Sequence, residues 1–362
     1  MNKIPFSESE LKVVKEIPGR GGLVTREYDR PITDKENLRM LYEEDHPLWA
    51  CGGRSGAQTF CPSLIPDNVA RHFVYDGTSA DRMKNDPLYD GIDMFGIKWK
   101  FVPTAGGSME DPAYPHPLEN ANDWEKVIKF PDVDSWDWEG GRKDAETYLQ
   151  DDKWVLTYML NGAWFERLIS FMGFENAAMA LIDEDQEDAL KALFDKTTAV
   201  YEKIADKFAE YFPQVDMFNQ HDDWGSQKSP FFSEDAANNM IVPYMRRFTD
   251  HLRSKGIAAD MHSCGHNESR IQCYIDGGWQ SWGPQPMNDV DKLFEGYGDK
   301  IILTLTVNLP ANMTDAEQRE AADKFVDTHC LPGKKFKVNY TAGCFAFEEE
   351  LYRASRKRYL EF

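Results

Sequence analysis

The pattern of hydrophobic and polar positions changes near Asp152. Before this residue, glycine and proline interrupt the chain repeatedly, and only residues 93–102 form a strand-like run. After it, short apolar runs alternate with amphipathic stretches, which is typical of βα units around a parallel sheet. We therefore expect one domain over residues 1–362, with an irregular N-terminal elaboration at 1–150 and the main run of βα units at 151–362.

The length and flanking residues of each run assign it to a strand or a helix. The predicted strands are residues 154–160, 215–219, 258–262, 280–282, 301–307 and 337–341. The predicted helices are residues 164–172, 187–211, 234–255, 268–276, 289–294 and 314–328. These repeats predict an α/β fold, a (β/α)8 TIM barrel whose remaining strands the pattern does not locate. A doubly wound sheet is the alternative, but no strand leads into a glycine-rich phosphate loop, and we interpret the glycine cluster at 52–56 as an ordinary mobile loop.

Composition limits the partners of this chain. It has 62 acidic and 41 basic residues and a formal net charge of −21, which argues against nucleic acid and anionic membrane surfaces. The first residues lack the apolar stretch of a signal peptide, and no run approaches the roughly 18 apolar residues of a membrane span. We expect a cytoplasmic protein whose cysteines serve in burial or metal binding rather than in disulfides.

The segment from Ala258 to His266 carries metal-binding residue types at the end of a predicted strand. Alternate strand residues share a face, so His262 and Cys264 project to the same side, at the end where barrel enzymes carry their chemistry. Cys344 follows the last predicted strand, and one histidine with two cysteines could bind Zn²⁺ with an open fourth position. Free cysteine is also a common buried hydrophobe. Other candidates stay open: Cys51, Cys61, Cys273 and Cys330 for the third thiolate, and His266 in place of His262.

A second polar cluster, residues 219–227, follows the predicted strand at 215–219. Its adjacent carboxylates, Asp222 and Asp223, could act as a general acid, bind substrate or support a metal ligand. The alternative is a solvated loop that only leads to the next helix. The candidates for substrate binding at the same barrel mouth are Asn219, Trp224, Trp164 and Glu166.

Motifs over most of the chain from Asp93 onward resemble those of one superfamily. They are residues 93–99 (DMFGIKW), 130–134 (FPDVD), 165–168 (FERL), 222–227 (DDWGSQ), 262–265 (HSCG) and 343–344 (GC). These motifs resemble the uroporphyrinogen decarboxylase superfamily, and specifically its methyltransferase branch. The resemblance implies a (β/α)8 barrel and a zinc ion held by His262, Cys264 and Cys344.

The branches of this superfamily bind different substrates. In the decarboxylase branch an arginine-rich N-terminal segment grips a porphyrin polyanion, whereas this chain has only Arg54 between Met40 and Arg71. A decarboxylase-type lyase is therefore the least favoured alternative. In the methyltransferase branch, a methyl group moves either from a methylated corrinoid protein to a thiol such as coenzyme M, or from a methoxylated compound to a Co(I) corrinoid.

The second direction is favoured by resemblance, through the acidic N-terminal elaboration and the tryptophan-rich segments at 136–138 and 279–282. We expect a zinc-dependent methyltransferase of an anaerobic O-demethylase system that demethylates a small methoxylated, aromatic compound. Its acceptor would be cobalamin on a partner corrinoid protein. The D-x-H-x-x-G match at 260–265 is interpreted as chance, since His262 is assigned to zinc. A methylcorrinoid:thiol methyltransferase and a regulatory metal-binding barrel are the alternatives, and a homodimer stays open as the assembly.

Overall fold

The computed structural model describes residues 4–18, 24–44, 46–52, 56–78, 91–104, 107–159 and 162–362. The strands are β1 (Val13–Pro18), β2 (Val24–Tyr28), β3 (Cys51–Gly52), β4 (Ala57–Thr59), β5 (Gly91–Ile92), β6 (Lys98–Val102), β7 (Gly107–Glu110), β8 (Trp154–Met159), β9 (Val215–His221), β10 (Ala258–His262), β11 (Ser281–Trp282), β12 (Ile302–Val307) and β13 (Phe336–Tyr340). Eight of them form a parallel sheet in the order β3-β13-β12-β11-β10-β9-β8-β4.

The two edges of this sheet are neighbours along the chain. Gly52 ends β3 and Ala57 begins β4, and the five residue steps from one position to the other can span at most about 18 Å. The sheet must therefore curl until its edges approach each other, and the predicted α/β barrel is confirmed. β3 and β4, of two and three residues, are the strands that the hydrophobic pattern could not locate, because they lie in the segment that glycine and proline interrupt. The predicted loop at 52–56 begins in β3, and its residues 53–55 lie outside the described residues.

Helices surround the sheet, and all six predicted strands occur with described ends within two residues of those predicted. Residue 160, the predicted end of the first of these strands, lies outside the described residues. The helices are α1 (Asp34–Glu43), α2 (Pro66–Ala70), α3 (Trp124–Val127), α4 (Trp138–Ala145), α5 (Phe165–Met172), α6 (Phe174–Ala180), α7 (Glu187–Tyr211), α8 (Glu234–Met240), α9 (Val242–Ser254), α10 (Ile271–Asp276), α11 (Val290–Tyr297), α12 (Asp315–His329) and α13 (Phe345–Tyr359). Within the described ranges, none of these helices is long and apolar enough to cross a membrane.

Two predicted elements are each divided in the structure. The helix predicted at 234–255 breaks at Ile241, because Pro243 has no N–H to donate to a carbonyl one turn earlier. The strand predicted at 93–102 begins with a turn instead. The Asp93 carboxylate accepts hydrogen bonds from the backbone N–H groups of Phe95 and Ile97, both at 2.9 Å, which offers the backbone an alternative to a strand.

Helix α1 covers the amino-terminal end of the barrel. Tyr42 of α1 packs among residues near the amino ends of several strands, including Met217 and Ile302. Its ring stacks on Trp154 with 5.3 Å between centroids, and its hydroxyl lies 2.7 Å from Ser281 Oγ. The carboxyl-terminal end, which we call the mouth, is therefore the end where chemistry is expected.

A buried ion cluster joins the N-terminal segment to the barrel. Arg167 of α5 is 1% exposed and donates hydrogen bonds to Asp93 at 2.5 Å and to Asp67 of α2 at 2.8 Å. Asp93 also accepts a hydrogen bond from the Trp99 indole at 2.9 Å. Because these charges are removed from water, each depends on its partners in the cluster.

We expect Arg167→Met to lower the free energy of unfolding by about 3–5 kcal/mol, because it leaves two buried carboxylates without a cation. Urea unfolding followed by circular dichroism measures this change. Arg142→Met is the matched control: Arg142 also bonds two carboxylates, Glu139 and Glu146, but in an exposed position. An equal loss of unfolding free energy in the two variants would show that the buried Arg167 cluster stabilises the fold no more than the exposed ion pairs of Arg142 do.

Candidate metal centre

The register of two neighbouring strands brings two histidines together. His221 ends β9, His262 ends β10, and the two residues are paired across the parallel strands. Their rings stack with 4.4 Å between centroids and 19° between planes. Side chains at paired positions of a parallel sheet share a face, so both imidazoles lie at the mouth.

A carboxylate and a thiol complete a group of four donors. Asp223 and Cys264 each lie two residues beyond one of the histidines. One ligand atom from each of His221, Asp223, His262 and Cys264 lies within 4.8 Å of the others, and we call this set the four-donor group. His262 Nε2 lies 3.3 Å from Cys264 Sγ, and the Cys264 backbone N–H donates to Asp223 Oδ1 at 2.6 Å.

Glu166 fixes the orientation of His221. Its Oε2 lies 2.7 Å from His221 Nδ1 and accepts a hydrogen bond from the Asp223 backbone N–H at 3.0 Å. This contact leaves Nε2 as the ligand atom that faces the rest of the four-donor group. A carboxylate bonded to the second nitrogen of a histidine is the usual support for a metal-binding imidazole. Glu166, predicted to bind substrate, thus lies behind a candidate ligand.

The two histidines have opposite charge preferences. Burial disfavours the charge on His221, but the Glu166 carboxylate outweighs it and raises the pKa of His221 well above its usual range. At His262, burial and then the positive charge of His221 lower the pKa to about 4, so this imidazole is neutral at pH 7. Burial opposes ionisation of Glu166, yet His221 lowers its pKa to about 2. A metal bound at His221 would have to displace a proton, whereas His262 has a free lone pair.

The donor set fits zinc. Two imidazoles, a thiolate and a carboxylate are all zinc ligands, and three protein ligands with an open position are typical of catalytic zinc. In a tetrahedral site the nitrogen and sulfur ligands are about 3.6 Å apart, which is close to the 3.3 Å between His262 Nε2 and Cys264 Sγ. His262 and Cys264, predicted from the sequence as ligands, are therefore in the same group, and His221 and Asp223 join them.

Cys344 is placed differently from the sequence-based expectation. It lies at the amino end of α13, is 8% exposed, and is not part of the four-donor group. The other cysteine candidates, Cys51, Cys61, Cys273 and Cys330, are buried and also outside this group. In the described residues, Cys264 is the thiol that the fold brings to the histidines.

The surroundings of Asp222 indicate that it caps a helix. It is completely buried and accepts hydrogen bonds from the backbone N–H groups of Trp164, Phe165 and Glu166, at the start of α5. Burial, followed by the nearby Glu166 charge, raises the pKa of Asp222 to about 7. α5 has no side-chain cap of its own at Trp164, so Asp222 supplies the missing acceptor. This placement favours helix capping over the catalytic role predicted for Asp222.

Three residues predicted to bind substrate are buried in the structure. Trp164 and Trp224 are completely buried, and their indole N–H groups donate to Thr198 at 3.1 Å and to Asp222 at 2.8 Å. Asn219 is 7% exposed and donates to Asp260 at 2.5 Å inside the barrel. Large aromatic side chains beside a polar motif thus contribute to the core here, and do not form the mouth.

The contribution of His221 was not predicted from the sequence. A signal for it exists in the sequence, because a histidine occurs at the end of two successive predicted strands and a second metal-binding residue follows two positions later in each case. That pattern is informative only once the two strands are known to pair in register.

Comparison with known proteins supports the fold. The chain is similar to a methyltransferase from Methanosarcina mazei, with a TM-score of 0.51 and 12% identity over 91% of this chain and 99% of that chain. Weaker similarities include 3-keto-D-glucoside 4-epimerase from E. coli (TM-score 0.35, 10% identity, 60% of this chain and 85% of that chain) and a GH10 endoxylanase from a sugarcane soil metagenome (TM-score 0.32, 11% identity, 58% and 71%). No family model matches the sequence, and no curated protein matches it.

We expect about one zinc ion per chain, and His262→Ala and Cys264→Ser should both lose it. Glu166→Gln should weaken zinc affinity by about 10–100-fold, because it removes the charged support behind His221. Elemental analysis and competition with a chelator measure these effects. Cys330→Ser is the control and should retain zinc. Cys344→Ser should also retain it, and loss of zinc from this variant would restore the set predicted from the sequence.

Asp222→Asn should lower the free energy of unfolding by about 1–3 kcal/mol, because its amide NH2 would face backbone N–H donors in the interior. Thermal or urea unfolding measures the loss. The matched control is Asp289→Asn, at the amino end of α11, where an asparagine caps as well as an aspartate does. A fully stable Asp222→Asn variant would return Asp222 to the list of catalytic candidates.

Proposed function

We propose that this chain is a zinc-dependent methyltransferase that removes the methyl group from a small methoxylated, aromatic compound and transfers it to the Co(I) of a partner corrinoid protein. The observation that carries the proposal is the four-donor group at the mouth of the barrel, with Glu166 behind His221. The fold likeness to a methyltransferase, over nearly the whole of both chains, supports the same class of reaction.

His221, His262 and Cys264 would hold the metal, with one position open for the substrate oxygen. A methyl ether is hard to cleave because its alkoxide or phenoxide is a poor leaving group. Zinc supplies a Lewis acid that stabilises the negative charge developing on that oxygen. The protein contributes the fixed positions of its donors: the β9 and β10 register places the histidines, and Glu166 holds one ring in place.

Asp223 is the residue suited to proton transfer. Burial, followed by the Glu166 charge, raises the pKa of Asp223, so this carboxyl keeps a proton at a higher pH than an exposed aspartate. Its hydrogen bond from the Cys264 N–H keeps it beside the proposed metal ligands. A protonated Asp223 can donate to the ether oxygen as the bond to the methyl group breaks, so that a neutral alcohol leaves.

The mouth offers room for an approaching partner. A cavity of about 350 Å³ lies at the carboxyl ends of β12 and β13, where Thr306, Asn339 and Thr341 contribute to its wall. The strongly negative net charge would attract a locally basic surface on the corrinoid protein. Such an association weakens as the salt concentration rises.

The test combines purified zinc-loaded protein, a methoxyarene and a reduced corrinoid protein. We expect a methyl–cobalt absorption spectrum to develop only when all three are present, and Asp223→Asn should slow it by roughly 10²–10⁴-fold while zinc is retained. Cys330→Ser, outside the mouth, should react at the unsubstituted rate. Methyl transfer from methylcobalamin to a thiol, without attack on any ether, would assign the chain to the thiol methyltransferases instead. Reaction without added corrinoid would contradict the proposed acceptor.

A further inference from the structure

The interior of the barrel contains an unfilled space next to α1, with polar and apolar residues in its wall. A cavity of about 210 Å³ lies there, and its wall includes Trp154, Tyr158, Asp260, Thr304, Lys337 and Asn339. Barrel interiors are normally filled by layers of branched apolar side chains. Packing alone therefore does not explain a cavity that three charged residues, Asp34, Asp260 and Lys337, help to line.

Strand β10 connects this cavity to the four-donor group. Asp260 lines the cavity, and His262 is the next residue on the same face of the strand. Two residues of strand rise by about 6.6 Å, which is close to the length of a substituted benzene ring. A ring whose ether oxygen lies beside His262 would therefore place its opposite edge at the level of Asp260.

The charges in the cavity wall are already paired. Lys337 Nζ lies 3.1 Å from Asp260 Oδ1, and Asp34 is paired with Arg30 at 2.5 Å. Asp260 also accepts hydrogen bonds from the Asn219 amide and from the Ser281 hydroxyl. A carboxylate entering the cavity would lose its hydration and meet two aspartates whose cations are engaged. The wall therefore favours a ligand without charge.

Two aromatic residues line the cavity beside these charges. The rings of Trp154 and Tyr42 stack with 5.3 Å between centroids, and both residues are part of the cavity wall. Both residues are buried, so their rings are held in place. A flat aromatic ligand can pack against such rings.

We propose that this cavity binds the ring of a neutral, single-ring aromatic substrate, a phenol or its methyl ether, and excludes aromatic carboxylates. This inference rests on the proposed function for the identity of the methoxy group, but it concerns binding alone. It names the substrate class through charge and shape: the two paired aspartates discriminate against the acid, and the stacked rings of Trp154 and Tyr42 offer a surface for an aromatic ring.

Equilibrium binding tests the proposal without any corrinoid. Isothermal titration calorimetry of the purified, zinc-loaded chain at neutral pH should show saturable binding of one phenol and of one methoxybenzene per chain. Benzoate, similar in size but ionised, should bind at least about tenfold more weakly. Equal binding of benzoate, or no saturable binding of the two neutral compounds, would overturn the proposal.

Variants then locate the bound ring. Trp154→Leu removes the indole ring from the wall and should weaken phenol binding by about fivefold. Trp279→Leu is the matched control, because Trp279 is also buried but lies outside the cavity wall. Thr304→Leu adds bulk to the wall and should weaken binding by about tenfold or more. Equal effects at the two tryptophans, or unchanged affinity in Thr304→Leu, would place the ring elsewhere.

The binding data and the methyl-transfer assay separate the two proposals. Neutral compounds that bind in the expected order but lose no methyl group to the corrinoid protein would contradict the proposed function alone. Methyl loss from a methoxybenzoate that binds as tightly as methoxybenzene would contradict the charge selection alone.

Discussion

The pairing of β9 with β10 is the constraint on which the candidate site depends. His221 and His262 are partners in this register, and successive residues of a strand point to opposite faces. A shift of one residue would turn one histidine out of the barrel, and with it the donor that follows two positions later. Hydrophobic burial of the outward positions, such as Phe218 and Met261, fixes that register more strongly than the polar groups could. The apolar face of the sheet thus determines the geometry of the polar one.

The same alternation separates two adjacent carboxylates. Asp222 and Asp223 follow β9 directly, yet Asp222 is turned into the interior, where it caps α5, and Asp223 faces the histidines. The cap also sets the position of Glu166, which is the second residue of α5 and reaches back to His221. The loop after β9 therefore caps α5 with the Asp222 side chain and places the Asp223 side chain at the mouth. Chemically identical neighbours have different environments because the backbone directs them to opposite sides.

Much of the fold could be predicted from sequence, and the reason lies in the length of the apolar runs. β8, β9, β10, β12, β13 and α7 each have enough periodic residues to be recognised, whereas the short strands β3 and β4 depend on pairing with strands far away in the chain. At the site, His262 and Cys264 could be found because they lie two positions apart at the end of one strand, β10. The contribution of His221 required knowledge of strand register, and the positions of Trp164 and Trp224 required knowledge of burial. Neither property is local, so neither is visible in a single segment.

The closure of the sheet has a consequence for how the chain folds during its synthesis. β3 pairs with β13, and the paired residues Cys51 and Lys337 are 286 positions apart. Glu10 is likewise buried against Arg356 at the other end of the chain. The early strands must therefore leave the ribosome with an open edge and wait for the last one, since non-local pairing cannot form before both partners exist. An unpaired parallel edge invites association with other chains, so the nascent protein is most vulnerable to aggregation until β13 has emerged.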